Sequence, residues 1–230
     1  MNGVCVRTRR QFLLDSLTGI SAAWAAAHWP SALAAAQHAQ AATQSGVAAT
    51  FEFFTAEMAR EVEAIAERII PSRGPSGEPS DEAPGAREAG VAYFIDRALM
   101  TFAKDDRKLY ADGIGELQVR VRERFPIVER FSALHEEEQD EVLHSMDQRE
   151  ANGARPFPDR SMEQSFFETV RQHTILGFLI DPESDRKGNR DSVGWKLIGR
   201  ENEHMFQPPF GHYDKGYAGW QPVGSEAVKR

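Results

Sequence analysis

The sequence predicts a mainly α protein, a single helical domain of about five or six helices with a long irregular C-terminal segment. Three observations predict it. Between residues 51 and 180 apolar side chains return every three or four positions in successive runs, the spacing that lines one face of an α-helix. Nowhere does the chain sustain the two-residue alternation of a half-buried strand. Beyond Asp181-Pro182 the period stops, and glycine, proline, aromatic and charged residues mix through to Arg230. With 230 residues and 41% apolar content the chain is long and apolar enough for one well-buried core.

Residues 1–36 precede that domain and differ from it in composition. Arg7, Arg9 and Arg10 are followed by a moderately apolar run from Phe12 to Trp29, then by Pro30 and a series of alanines. A basic stretch, an apolar stretch and small residues in that order make a signal peptide, and Ala32-Leu33-Ala34 supplies its cleavage site. Thr8-Arg9-Arg10-Gln11-Phe12-Leu13-Leu14 resembles the twin-arginine (Tat) consensus, with Arg9, Arg10, Phe12 and Leu13 at the defining positions. The resemblance implies export of an already folded protein to the periplasm by the Tat translocase. An amphipathic or membrane-spanning N-terminal helix is the alternative, and Asp15, Ser16, Thr18, Gly19 and Ser21 weaken it by interrupting the apolar run. Residues 37–50, rich in Ala, Gln, Ser and Thr without an apolar period, read as a flexible linker left after processing.

The helical domain is expected over residues 51–180. Thr55 is a plausible N-cap, and Met58, Val62, Ile65, Ala66 and Ile69 repeat at helical spacing until Pro71. Residues 71–85 hold four prolines among glycines, serines and charges and cannot sustain a helix or a central strand, so they form a long surface loop. Such a loop either contacts a partner or is an idle connector. Val91, Phe94, Ile95, Ala98 and Phe102 mark the next helix. Leu109, Tyr110, Ile114, Leu117 and Val121 mark another, with Gly113 and Gly115 weakening its middle. After Phe125-Pro126, the stretch from Ile127 through Met146 reads as helical, in one piece or two. A last helix runs from about Met162 to Phe178, with Phe166, Phe167, Val170 and Thr174 inward.

Residues 181–230 are expected to be irregular and to bind a partner. A small helical core has no room for every aromatic there, so Trp195, Phe206, Phe210, Tyr213, Tyr217 and Trp220 are the candidate anchors on another protein. The competing reading is a tail folded back over its own helices.

A formal net charge of −8 disfavours nucleic acid or an anionic membrane as the main partner. Cys5, the only cysteine, lies before the presumed cleavage site, so the processed chain would have no thiol for a disulfide, a nucleophile, an Fe–S cluster or attached haem c. Dinucleotide, P-loop and nucleophile-elbow motifs are absent. Two Glu-x-x-His pairs, Glu141/His144 and Glu201/His204, invite comparison with di-iron bundles. Helical geometry places Glu141 and His144 opposite the apolar face of Val142, Leu143 and Met146, towards solvent, and Glu201/His204 falls in the irregular segment. Glu136-Glu137-Glu138 reads as a solvated face. His173 reads as a hydrogen-bonded histidine at the core edge rather than a base, and His212 is open to either role. No catalytic, cofactor or metal residue is therefore assigned to this chain.

Phe54-Thr55-Ala56-Glu57, Ile69-Ile70-Pro71, Pro84-Gly85-Ala86 and Phe94-Ile95-Asp96 occur in that order. They are followed by Phe166-Phe167-Glu168-Thr169-Val170-Arg171, Thr174-Ile175-Leu176-Gly177-Phe178, Asp181-Pro182, Gly188-Asn189 and Gly194-Trp195-Lys196-Leu197-Ile198-Gly199. With the twin-arginine signal, this series resembles the gluconate 2-dehydrogenase subunit 3 family, small subunits of periplasmic FAD-dependent sugar and polyol dehydrogenases. Residues 206–213 look like the branch paired with flavoproteins of the glucose–methanol–choline (GMC) type. The resemblance implies a GMC-type large subunit that holds FAD and the catalytic histidines, often with a cytochrome c carrying haem as a third subunit. In such complexes the small subunit supplies the export signal and stabilises the flavoprotein, and the assembly can sit peripherally on the inner membrane. Two other classes remain open at this point: an exported metal-dependent oxidoreductase acting alone, and a free-standing periplasmic chaperone or binding module.

Overall fold

The computed structural model describes residues 22–44, 50–72, 84–147 and 161–180. Among them are six α-helices, two short 3₁₀ turns and no strand, so the protein is mainly α as the periodicity predicts. The helices are α1 (Ala22–Gln44), α2 (Ala56–Ile69), α3 (Val91–Met100), α4 (Arg107–Arg124), α5 (Glu136–Met146) and α6 (Met162–Leu179). The 3₁₀ turns are Lys104–Asp106 and Phe131–Ala133.

α2 begins where the sequence places it. Thr55 is extended, and its side chain accepts a hydrogen bond from the Met58 N–H at 3.2 Å, which satisfies one of the first-turn donors. Val62, Ile65 and Ala66 are buried along one stripe. At the far end the Ala86 N–H donates to the Ile70 carbonyl at 2.9 Å, so the chain returns to its point of departure across the proline-rich loop. Gly85 permits that approach, since a Cβ there would lie 2.8 Å from the Ile70 oxygen. Residues 73–83 of this loop lie outside the described residues.

α3 is the most enclosed element. Val91, Ala92, Phe94, Ile95, Asp96, Ala98 and Leu99 are all buried, because α1, α2 and α6 pack around it. A helix covered on nearly every side needs an almost wholly apolar sequence, as here. α6 packs against α2, α3, α4 and α5, and buries Phe166, Val170 and Thr174; Phe167 is half-buried.

The two glycines of α4 do not break it, and they differ in kind. A Cβ at Gly113 would lie 2.2 Å from Cγ of the fully buried Phe166 ring, whereas nothing lies within 4 Å of the position at Gly115. Gly113→Ala is therefore expected to destabilise by about 1–3 kcal/mol through overpacking. Gly115→Ala is expected to stabilise by about 1 kcal/mol through helix propensity. Urea midpoints that move in the same direction for both variants would contradict this packing.

Two stretches differ from expectation. Helical structure does not begin at Ile127: the segment after Phe125-Pro126 is irregular, a 3₁₀ turn follows at Phe131–Ala133, and α5 starts only at Glu136. Extended His135 stops the two pieces from merging, and caps α5 by a reciprocal pair of hydrogen bonds with Glu138. The second difference is larger. Residues 37–44, expected as linker, continue a helix that starts at Ala22, so the assignment of a tether is corrected over that stretch. Alanine is the strongest helix former, and Ala32, Ala35, Ala36 and Ala39 form a buried stripe docked on α3. Residues 45–49 of the expected linker lie outside the described residues. Among the described residues no helix is long and apolar enough to cross a membrane.

Candidate functional site

Among the described residues four polar side chains are buried: Asp96, Glu61 and Gln139 are occupied in holding the core together, and the Thr174 hydroxyl has no hydrogen-bond partner. Asp96 is 1% exposed, on α3, and its carboxylate accepts three backbone N–H bonds. Oδ2 takes Glu52 at 2.8 Å, and Oδ1 takes Phe53 at 3.0 Å and Phe54 at 2.8 Å. The turn that enters α2 is thereby fixed to the middle of α3. Around it Phe51 lies parallel to Tyr93 with ring centroids 4.6 Å apart, and the Arg107 guanidinium sits 5.8 Å from the Phe53 ring centroid.

Glu61, on α2 and 2% exposed, plays the same part for the second 3₁₀ turn. It accepts from the Ser132 N–H at 3.0 Å and the Ser132 hydroxyl at 2.7 Å. Gln139 donates to the Phe131 and Leu134 carbonyls, each at 3.2 Å, from the α5 side. Arg68 joins α2 to α5 with a two-pronged contact to Asp140 at 2.7 Å and a third bond to Glu136 at 2.7 Å. These hydrogen bonds raise the Arg68 pKa, the Asp140 bond contributing most.

His173 lies where α6 meets α4. Its Nδ1 is 2.9 Å from the Tyr110 hydroxyl, and its Nε2 is 3.7 Å from Asp106 Oδ2. Burial lowers the His173 pKa to about 4, so the imidazole is neutral at pH 7. Burial, with Asp106 adding to it, pushes the Tyr110 phenol well above its ordinary value, so the phenol stays protonated, and the imidazole tautomer decides which of the two groups donates. Asp106 is itself raised by burial and then by Asp105. Tyr110 also meets the Phe166 ring edge-on at 5.8 Å, which seats the pair against the core. The geometry is that of the hydrogen-bonded core-edge histidine expected from the sequence.

Glu141 and His144 point outward, as helical geometry requires. Glu141 pairs with Arg124, and His144 lies 3.1 Å from the Asp140 carbonyl. Among the described residues no three His, Cys, Asp or Glu side chains come together as a metal-binding group. Glu136 and Glu137 are exposed, and Glu138 is half-exposed in its capping role. Of the remaining predicted positions, Ala32 is fully buried in α1 and Ala34 is on its exposed side. Arg9, Arg10, Phe12, Leu13, Trp195, Glu201, His204, Phe206, Phe210, His212, Tyr213, Tyr217 and Trp220 lie outside the described residues.

Sequence reasoning missed the roles of Asp96 and Glu61. The available signal was an acidic residue set directly beside inward-facing positions, Ile95 and Val62. That pattern marks a buried carboxylate with a local partner, without saying which backbone it holds.

A search of curated proteins and one of solved structures found no match. The family described as gluconate 2-dehydrogenase subunit 3 matches over residues 56–201, well over half of the chain and including α2 through α6. The match shows the family, and the chain is a member of the gluconate 2-dehydrogenase subunit 3 family.

Proposed function

We propose that this chain is the non-catalytic small subunit of a periplasmic dehydrogenase complex acting on CH–OH groups, in which a GMC-type large subunit holds FAD. The family membership carries this reading, because the family is that of one subunit of a multi-subunit dehydrogenase. Two features support it. The twin-arginine stretch around Arg9 and Arg10 suits export of a prefolded, cofactor-loaded assembly. The buried Asp96, Glu61 and Gln139 are engaged in fixing turns to helices, which is the work of a scaffold.

On this reading the flavoprotein folds in the cytoplasm, binds this chain and crosses with it through the Tat translocase. Trp195, Phe206, Phe210, Tyr213, Tyr217 and Trp220 are the proposed anchors, and a cytochrome c subunit receives the electrons where one is present. Association before transport calls for an interface of about 2,000 Å² or more. Cell fractionation tests the escort role. With Arg9 and Arg10 both changed to Lys, the dehydrogenase activity and the flavoprotein are expected to stay in the cytoplasm together with this chain. Undiminished flavoprotein in the periplasm would overturn the reading.

A further inference from the structure

The alanines of the expected processing site are part of the folded domain. Ala32, Ala35, Ala36 and Ala39 recur at the spacing of one helical face and are all buried, Ala32 and Ala35 completely. Two other observations show that α1 is fitted to its seat. Trp24 meets the Phe102 ring edge-on at 5.7 Å, with His28 beside both. At the other end Gly90 takes a left-handed φ of 67°, and a Cβ there would lie 2.7 Å from Thr43 Cγ2 and 3.1 Å from the Ala39 carbonyl oxygen. α3 itself is apolar nearly all round, so loss of α1 would leave one of its faces open to water.

Proteases take their substrates as exposed, extended segments, and cleavage concentrates where the backbone is free to leave the fold. The Ala34–Ala35 bond is in the middle of a 23-residue helix, with Ala35 against α3. We propose that α1 remains docked on α3 once the domain has folded and closes the Ala32-Leu33-Ala34 site to signal peptidase, so that the exported chain keeps residues 22–36 of its signal segment within a structural helix. The proposal rests on the export reading for the identity of the segment, and on the α1–α3 contact for its protection.

The test uses the purified full chain and the soluble catalytic domain of signal peptidase, read by intact mass. The wild-type chain is expected to keep its full mass, while Ala39→Glu, which places a carboxylate against α3, is expected to be cut after Ala34. Equal cleavage of wild-type and variant chains would overturn the proposal. Hydrogen exchange on the wild-type chain gives a second readout that needs no variant. Amides of residues 32–44 are expected to be protected alongside those of α3, and exchange at free-peptide rates would overturn the docking. Failure of the export reading has a different signature, a chain confined to the cytoplasm, and both assays report docking wherever the chain resides.

Discussion

Asp96→Ala is expected to lower the stability of the folded chain by about 3–5 kcal/mol, since it orphans three backbone donors in one step. The Phe54 N–H is fully buried and the Glu52 and Phe53 N–H groups partly so, which leaves water able to compensate only in part. The affected backbone is the entry to α2, so the loss reaches the Thr55 cap and the Phe51–Tyr93 contact as well. Asp96→Asn separates charge from geometry. Its carbonyl oxygen can still accept from Phe53 and Phe54, while its amide opposes the Glu52 N–H, and a smaller cost of about 1–2 kcal/mol is expected. Urea titrations at constant m-value read both. An alanine variant within about 0.5 kcal/mol of wild type, the range of an ordinary surface change, would remove Asp96 from its place as the clamp between α2 and α3.

The second large effect is a dependence of stability on pH. His173 has a folded pKa of about 4, below the 6.5 of an unperturbed imidazole, so the unfolded chain binds the extra proton between those values. The stabilisation is complete above pH 6.5 and is lost as pH falls towards about 4, amounting to about 3 kcal/mol across the window. Asp106 opposes this: its raised carboxyl pKa makes the folded state the stronger proton acceptor at that site, and its charge 3.7 Å from Nε2 favours the imidazolium. Comparison with His173→Gln isolates the histidine, because the glutamine carbonyl can accept from Tyr110 but does not titrate. The stability gap between the two chains is expected to change between pH 7 and pH 4.5, with wild type losing more. Parallel curves would show that His173 does not stay neutral in the folded state.

What the sequence made legible follows hydropathy contrast. α2, α3 and α6 alternate large apolar side chains with charges, and their positions and inward faces follow from spacing alone. The outward placement of Glu141 and His144 came from the same geometry. The helix of α1 is not legible beyond Pro30, because that stretch is largely alanine and glutamine, where the buried and exposed sides hardly differ in hydropathy. The stripe 32, 35, 36, 39 was present, but a stripe of alanines shows its meaning only when α3 is beside it. Asp96 was hidden for another reason. Its partners are 42 to 44 residues away, a pairing set by how α2 folds back onto α3. Gly113 is similar: its propensity argues against helix, and the Phe166 ring that requires it comes from α6.

The escort role is tested most directly by purifying the C-terminally tagged chain from the periplasm of its native host, then recording its subunit composition and absorption spectrum. The account predicts a larger polypeptide in fixed ratio with this chain and the absorption bands of an oxidised flavin. A chain recovered alone, with its own bound metal and its own turnover of a CH–OH substrate, would contradict it.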